Sequence, residues 1–492
     1  MKNNKIFLFA ALLALIAPSA MQAQQVSLDT MMNHIRELSS SRYDGRLAGS
    51  DGYWRAADYV ADALSRYGVQ PYKGDWTQLF EVECNEIENC TFNTYVNAND
   101  TRTSYILGND FSCVGMTGRG YADAPVVFCG YGIDAPVFDE YAKVDAQGKI
   151  VVVLSGTPNF LPSMVTKNYA TPRDKARVAR RHGACALVVV NMSSSCPANE
   201  VQGRVFSGDL PHLPTFPIIQ PTKACAARLF NGELMGFQQA VDSLQNSMQP
   251  VSFHFRKHFE IEVNAKYHPC ARTCNVVGIY PGTDRKMSNE YIVVGAHLDH
   301  VGMQGNTCIF PGADDNASGV AALLETARLL QSAVEQPKRS VVFVLFGAGE
   351  TQSLGSQVFV SNFKPLRNID AFVNIECIGS GDSVVVMGNH RFPLLYQVAY
   401  AADTEYTQIM ANSFKTDPKG DAQAFATVGI PSINITNLNG NRHNHVPSDI
   451  PENIDRAFLV RSATLAFQTI YELTFGDYQG RSNLSRKVTF DK

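Results

Sequence analysis

Residues 291–330 read YIVVGAHLDHVGMQGNTCIFPGADDNASGVAALLETARLL, and no other segment indicates the fold class so clearly. The segment opens with a continuous apolar run over 291–296, which is typical of a strand that is buried on both faces. Its second half predicts a helix over 317–332, because apolar residues recur there at helical spacing. Histidines and acids occur in the loop between them. The segment therefore predicts one strand–loop–helix unit of an α/β domain.

The same alternation continues to the C-terminus. Strands are predicted over 340–347, 371–375, 384–387 and 431–435, and helices over 393–402 and 453–475. Continuous β-branched runs that alternate with amphipathic helices are typical of a buried, largely parallel sheet. We therefore expect a three-layer α/β/α sandwich with a mostly parallel mixed sheet.

The first half of the chain has a different pattern. Two helices are predicted within 28–67, on either side of a glycine-rich turn. From about 81 to 262, short β-rich runs are separated by glycine, proline and aspartate, and one helix is predicted over 172–182. This change of pattern predicts a β-rich domain inserted between the N-terminal helices and the α/β domain.

Composition excludes several classes of protein. Of the 492 residues, 45% are hydrophobic and 18% are charged, which argues against a disordered, collagen-like or coiled-coil chain. The formal net charge of −4 argues against a nucleic-acid partner.

The N-terminus has the layout of a cleaved secretory signal peptide. Lys2 and Lys5 precede an apolar run over 6–17, and small residues lead to Ala23. We expect residues 1–23 to be removed and the chain to be exported, either to the periplasm or out of the cell. A membrane anchor is the alternative, although an apolar run of 12 residues is short for spanning a bilayer. The expected mature chain has no membrane anchor.

Eleven cysteines follow this leader. In an exported protein some of them can form disulfides, and the pairs that are close in sequence are Cys84 with Cys90 and Cys270 with Cys274. Neither spacing is the CxxC of a zinc ribbon. The sequence leaves the connectivity open, since buried cysteines can also serve as small apolar residues.

Chemically active residues follow the ends of the predicted strands. They are His297 and Asp299, Asp315, Glu350, Glu376 and His445. Because the carboxyl ends of parallel strands meet at one edge of a sheet, we expect these side chains to converge. Imidazole and carboxylate ligands without thiolate suit zinc or a similar divalent ion, and several carboxylates suggest two ions that share a bridge. Singly, each residue could instead be a helix cap, a solvated acid or a core histidine.

Five motifs together resemble one enzyme family. They are GAHLD (295–299), PGADDNASG (311–319), FGAGE (346–350) with LGS (354–356), VNIE (373–376) and HVPSD (445–449). Their order and spacing resemble the zinc aminopeptidase and glutamate-carboxypeptidase type of metallopeptidase, known as family twenty-eight. Between them and the N-terminus, GKIVVVL (148–154) and GACALVVV (183–190) resemble a protease-associated domain.

The resemblance implies a domain organisation. It comprises a signal peptide (1–23), N-terminal helices of the peptidase domain (24–90), an inserted protease-associated domain (91–260), the metallopeptidase domain (261–475) and a C-terminal tail (476–492). The inserted domain would cover the cleft or gate the substrate.

The resemblance also implies roles for the site residues. Two zinc ions are expected per chain, one bound by His297 and Glu376, the other by Glu350 and His445, with Asp315 bridging both. Asp299 would orient the imidazole of His297. The family usually has Asp at the position of Glu376, so the pocket must adjust to the longer side chain. The peptide bond between Asp315 and Asn316 corresponds to one that is often cis in the family.

The main departure from the family is Gly349, which occupies the position of the general base, a glutamate. Glycine cannot accept a proton, and general acid–base catalysis is worth roughly 10²–10⁴-fold in rate. Three interpretations remain open: a slow enzyme, another carboxylate in the role of base, or a relative that binds metal and peptides without cleaving them. The favoured expectation is a secreted zinc aminopeptidase that hydrolyses N-terminal peptide bonds of a peptide or protein substrate with a metal-activated water. On this alignment, a Gly349→Glu variant should be faster. The oligomeric state cannot be derived from the sequence.

Overall fold

The computed structural model describes residues 25–191, 212–411, 415–440, 443–478 and 480. The predicted signal peptide and most of the predicted tail lie outside these residues. The helices are α1 (Leu28–Leu38), α2 (Asp51–Arg66), α3 (Ser163–Thr166), α4 (Pro172–Arg181), α5 (Lys223–Leu229), α6 (Phe237–Ser247), α7 (Gly319–Gln331), α8 (Leu354–Asn362), α9 (Pro393–Ala402), α10 (Ala422–Thr427) and α11 (Arg456–Phe475). Within the described ranges, none of the helices combines the length with the apolar character that a membrane span requires.

The strands are β1 (Gln70–Pro71), β2 (Thr77–Tyr95), β3 (Thr103–Tyr105), β4 (Phe111–Cys113), β5 (Gly120–Cys129), β6 (Asp134–Ala135), β7 (Phe138–Asp139), β8 (Ile150–Leu154), β9 (Ala186–Val190), β10 (Ile218–Pro221), β11 (Ser252–Tyr280), β12 (Tyr291–His297), β13 (Met303–Gln304), β14 (Cys308–Ile309), β15 (Ser340–Phe346), β16 (Ile369–Glu376), β17 (Ser383–Met387) and β18 (Ser432–Leu438).

The C-terminal half forms the expected α/β domain. Its sheet has the order β17–β18–β16–β12–β15–β11, in which the four central strands are parallel and the two outer ones antiparallel to their neighbours. Ile292 and Val294 pack on one face, with α1, α2, α7 and α11, and Val293 packs on the other, with α8 and α10. This alternation follows from the pleat of a strand. The prediction of a three-layer sandwich with a mostly parallel mixed sheet is confirmed.

The inserted region continues the same sheet. Strands β5, β8, β9 and β10 are parallel to one another, and β11 joins the two regions by pairing with both β15 and β5. Strand β11 is 29 residues long and pairs with the 19-residue β2. The domain boundaries expected at 90/91 and 260/261 therefore fall inside these two strands.

Some helices begin elsewhere than predicted, and five of the described helices were not predicted. Helix α7 begins at Gly319 rather than at 317, because Ala313–Ser318 form a wider π-type turn. Helix α11 begins at Arg456 rather than at 453, because the side chain of Asp455 accepts hydrogen bonds from the first turn. The sequence patterns did not predict α3, α5, α6, α8 or α10. Of these, α8 and α10 are short and lack a clear polar face.

The cysteines that are close in sequence are far apart in space. Cys84 and Cys90 lie six residues apart on the same strand, β2, which separates them by about 20 Å at 3.3 Å per residue. Cys270 and Cys274 lie four residues apart on β11, or about 13 Å. Since a disulfide requires Cα atoms within about 7 Å, neither pair can form one, and all four of these cysteines are free thiols.

Candidate metal centre

One cavity of about 780 Å³ lies at the carboxyl edge of the parallel strands. Its lining includes all five predicted ligands, namely His297, Asp315, Glu350, Glu376 and His445, and also Gly349 and Asp421. The topology explains this convergence. His297 and Glu376 are the last residues of β12 and β16, Glu350 follows β15, His445 follows β18, and Asp315 lies in the turn before α7.

Asp315 lies between two imidazoles. Its Oδ1 is 3.3 Å from Nε2 of His297, and its Oδ2 is 3.3 Å from Nε2 of His445. The same nitrogen of His445 is 3.0 Å from Oε2 of Glu350. A carboxylate that presents one oxygen to each imidazole has the arrangement of a ligand shared between two ions.

The charges in the cavity perturb one another strongly. Burial would raise the pKa of Asp315, but hydrogen bonding with His297 and His445 outweighs it and holds the pKa well below its usual value. Burial would lower the pKa of His297, but Asp315 and Glu350 reverse the shift, so the pKa lies well above its ordinary value.

Glu376 lines the same cavity. Its Oε2 accepts a hydrogen bond of 2.7 Å from Nδ2 of Asn434, and Asn374 lies at 3.5 Å. Burial raises its pKa. A Cβ atom on Gly420 would lie 2.6 Å from the same oxygen, so the pocket holds the longer glutamate where residue 420 has no side chain.

His300 is the residue whose importance the sequence did not reveal. Its sequence context does not distinguish it from a solvent-facing histidine, but it is fully buried. Its Nδ1 is 3.3 Å from Oε1 of Glu350 and 3.9 Å from Oδ2 of Asp315. Ligand atoms of His300, Asp315, Glu350 and His445 all lie within 4.8 Å of one another. The only sequence signal was its position in the HLDH segment.

Unpaired polar atoms at this point fit a cation. Among the described residues, neither ring nitrogen of His300 has a hydrogen-bond partner, and the same holds for Oε1 of Glu350. Buried polar atoms are normally paired. Nitrogen and carboxylate oxygen are also the donors that zinc binds, so the residues present fit a divalent metal.

Asp299 contacts the backbone of the neighbouring loop. Its carboxylate accepts hydrogen bonds from the backbone nitrogens of Gly349 (2.7 Å) and Glu350 (3.2 Å). Nδ1 of His297 lies 3.9 Å from this carboxylate but 3.2 Å from the backbone oxygen of Asp299. Asp299 thus links the His297 and Glu350 segments.

Asp449 holds the turn that carries Asp315 in place. The carboxylate of Asp449 accepts hydrogen bonds from the backbone nitrogens of Asp314 (2.8 Å) and Asp315 (3.1 Å). The bond between Asp315 and Asn316 is cis, as the resemblance implied. These contacts fix the direction of the Asp315 side chain.

Arg46, in the glycine-rich turn near the N-terminus, supports the other side of the site. It is fully buried, and its guanidinium donates hydrogen bonds of 2.6–2.9 Å to the backbone oxygens of Leu38, Leu298, Pro311 and Gly312. Its own backbone oxygen accepts from the nitrogen of His300 at 3.1 Å. The turn therefore ties the N-terminal helices to the two loops that flank the metal ligands.

Gly349 packs against a metal-ligand candidate. A Cβ atom at this position would lie 2.4 Å from Cβ and 2.6 Å from Cγ of His297.

Asp421 is a further acid of the site. It is 2% exposed and lines the same cavity. Among the described residues, its Oδ1 has no hydrogen-bond partner. Burial raises its pKa, against the opposing effects of His297 and the Ser356 hydroxyl.

Two family models match the chain. Residues 275–470 match the model described as Peptidase family M28, and residues 122–227 match the PA domain, the protease-associated domain. Similar curated proteins include an aminopeptidase of Pseudomonas aeruginosa, 26% identical over 380 residues, which covers 74% of this chain and 59% of that protein. The probable lipoprotein aminopeptidase LpqL of Mycobacterium tuberculosis is 24% identical over 433 residues, which covers 83% of this chain and 73% of that protein. The chain thus spans about three fifths of the length of the Pseudomonas relative.

Solved structures share the fold. A zinc aminopeptidase from Bacillus subtilis superposes with a TM-score of 0.64 at 18% identity, covering 94% of this chain and 98% of that one. An aminopeptidase from Aneurinibacillus sp. strain AM-1 superposes with a TM-score of 0.63 at 19% identity, covering 92% and 96%. At these identities the likeness establishes the architecture, including the inserted domain.

Proposed function

We propose that this chain, which belongs to peptidase family M28 through residues 275–470 and carries a PA domain, is a zinc-dependent aminopeptidase that acts on peptides. The observation that carries the proposal is the convergence of His297, Asp315, Glu350, Glu376 and His445 on one cavity. The names of the curated relatives support the aminopeptidase activity.

Two zinc ions are proposed for the centre. Asp315 would be shared, His297 and Glu376 would bind one ion, and Glu350 and His445 the other. Bound zinc would supply Lewis acidity, which polarises the scissile carbonyl and lowers the pKa of a reacting water.

The charge of the cavity favours a substrate with a free amino terminus. Its lining contains the acids Asp315, Glu350, Glu376 and Asp421, and among the described lining residues there is neither lysine nor arginine. A carboxypeptidase needs a cation to bind the terminal carboxylate of its substrate, usually an arginine or lysine. The positive α-amino group of a peptide is the better match.

Asp421 is our candidate for the proton acceptor that Gly349 cannot provide. It is the acid of the cavity lining that is not one of the five proposed ligands. An acid whose pKa is raised by burial is suited to general base catalysis near neutral pH. In this role Asp421 would take a proton from the attacking water, directly or through a second water, and return it to the leaving amine.

A second candidate function is a protein that holds zinc and binds peptides without cleaving them. Gly349 is the observation that favours it, since the usual base is absent. Both functions require the same metal centre, so metal content alone does not separate them.

The test compares a free and a blocked substrate. The full chain without its leader is loaded with zinc, its metal content is measured, and hydrolysis of leucine p-nitroanilide is compared with that of the N-acetylated compound. An aminopeptidase holds two zinc ions, cleaves only the free amine and loses activity with a chelator. Two bound zinc ions without hydrolysis of any aminoacyl anilide would favour the binding protein, and an absence of zinc binding would contradict both.

We also propose that the protein is exported. The support is the sequence of residues 1–23, with two lysines, an apolar run and small residues. Sequencing of the mature N-terminus after expression in a bacterial host should give a chain that starts near residue 24. An intact Met1 would contradict export by this route.

A further inference from the structure

We infer that His300 is a fourth protein ligand of the zinc ion that Asp315, Glu350 and His445 would hold, so that this ion is closed on all sides by protein. The inference rests on the metal centre proposed above. It adds a residue that lies outside the five ligands that the family resemblance implies.

The separations are of the size found in a tetrahedral zinc site, since one ligand atom from each of the four residues lies within 4.8 Å of the others. Ligand atoms that lie 2.0–2.2 Å from a tetrahedral zinc ion are separated from one another by about 3.4 Å. The nitrogen–oxygen separations from His445 are 3.0 Å to Glu350 and 3.3 Å to Asp315. Those from His300 are 3.3 Å to Oε1 of Glu350, the other oxygen of the carboxylate that His445 contacts, and 3.9 Å to Oδ2 of Asp315. The four values lie on both sides of the ideal one.

Burial of His300 adds an independent argument. Its ring is fully buried, and both ring nitrogens lack a hydrogen-bond partner among the described residues. A neutral buried imidazole with no partner is unfavourable by about 1–3 kcal/mol per unsatisfied group. A metal bond from Nδ1 removes part of this cost. Gly312 leaves room for the ring, since a Cβ atom there would lie 2.7 Å from Cδ2 of His300.

The two ions would then differ in role. Four protein ligands close a zinc site, as in structural sites, whereas three leave a position open for a water or substrate. Asp315, His297 and Glu376 supply three ligands on the other side of the shared carboxylate. The reaction would therefore take place at the His297 side, and the His300 side would hold the loops together.

Zinc binding to the full chain, measured without substrate, tests the inference. The metal-free protein is titrated with Zn²⁺ against a chromogenic chelator, and with Co²⁺ while visible absorption is recorded. The variants are His300→Asn and His300→Gln, whose amides can donate a hydrogen bond to Glu350 but do not supply an imidazole ligand. The control is His390→Asn, a histidine with 63% side-chain exposure that pairs with Asp417.

Loss of a direct ligand should weaken the tighter zinc step by more than about 100-fold, because losing only a hydrogen-bonded neighbour of a ligand costs about 10–100-fold. The strong absorption of the first, four-coordinate Co²⁺ should also decrease, and the His390 variant should behave as the wild type. A weakening of 100-fold or less in whichever His300 variant folds, with unchanged Co²⁺ absorption, would overturn the inference. A protein that binds zinc in this way but hydrolyses nothing would refute the proposed peptidase and leave this inference standing.

Discussion

Alanine at position 349 is expected to weaken metal binding through His297. A Cβ atom there would lie 2.4 Å from Cβ of His297, whereas carbon atoms in contact are about 3.5–4.0 Å apart. One of the two residues must therefore move by about 1 Å. His297 is the last residue of β12, and its Cβ atom is bonded directly to the strand backbone. This atom therefore cannot rotate away as the end of a long side chain would.

The magnitude follows from the cost of overpacking, which is about 1–3 kcal/mol for one added carbon group in a packed site. If movement of the imidazole relieves the strain, the cost falls on zinc binding, which should weaken by about 5- to 150-fold. A Gly349→Glu variant carries the same Cβ atom. We therefore expect it to lower the rate, contrary to the expectation from the alignment alone.

The assay is competition for Zn²⁺ between the full chain and a chelator, with hydrolysis of an aminoacyl anilide measured in parallel. Gly236→Ala is the matched control, because its backbone is ordinary and nothing lies within 4 Å of the added carbon. If Gly349→Ala bound zinc as tightly as the wild type, or if Gly349→Glu were faster, the steric reasoning would be refuted.

Three further predictions concern other buried charges. Asp421→Asn should lower the rate of hydrolysis by about 10²–10⁴-fold with unchanged zinc content, and a loss of zinc instead would make Asp421 a metal ligand. Arg46→Met should lower the urea midpoint by the equivalent of several kcal/mol, because it leaves four backbone oxygens without their donor, and an unchanged midpoint would contradict that role. Burial raises the pKa of Glu140 to about 8, so the folded chain keeps a proton that the unfolded chain loses above pH 4.5, and stability should fall from pH 5 to pH 7. In urea unfolding, the fall in stability from pH 5 to pH 7 should be smaller for Glu140→Gln than for the wild type. An equal slope in both proteins would count against the titration of Glu140. Burial lowers the pKa of Lys175 to about 7, so the titration of that lysine changes stability mainly above this window.

The fold could be predicted because its signal is local. The runs that became β12, β15 and β16 are almost wholly apolar, and such runs are read directly as buried parallel strands. The convergence of the acids and histidines also followed, since the carboxyl ends of parallel strands share one edge. The continuity of the sheet could not be predicted from local patterns. It depends on β11, a strand of 29 residues, which pairs with β15 in one region and with β5 in the other.

Two features of the site could not have been obtained from the motifs. His300 differs from a solvent-facing histidine only through burial, and its burial depends on the turn at Gly45 and Arg46, more than 250 residues away in sequence. That turn packs closely, since a Cβ atom on Gly45 would lie 2.0 Å from the backbone oxygen of Gly302. A short Gly-Arg pair carries no sequence signal for such a contact.

The two departures from the family pattern have one physical feature in common, which is a glycine that packs against a proposed metal ligand. Glu376 is one methylene longer than the usual aspartate, and its carboxylate lies where Gly420 leaves space. Gly349 lacks the usual glutamate, and the space that its Cβ would need is filled by His297. A side chain added at Gly420 or Gly349 alone would create a clash of the kind that costs about 1–3 kcal/mol. We therefore interpret the proposed metal centre as a repacked site rather than as the usual centre with one residue deleted. For this reason the search for a proton acceptor should move from position 349 to Asp421, the residue that follows Gly420.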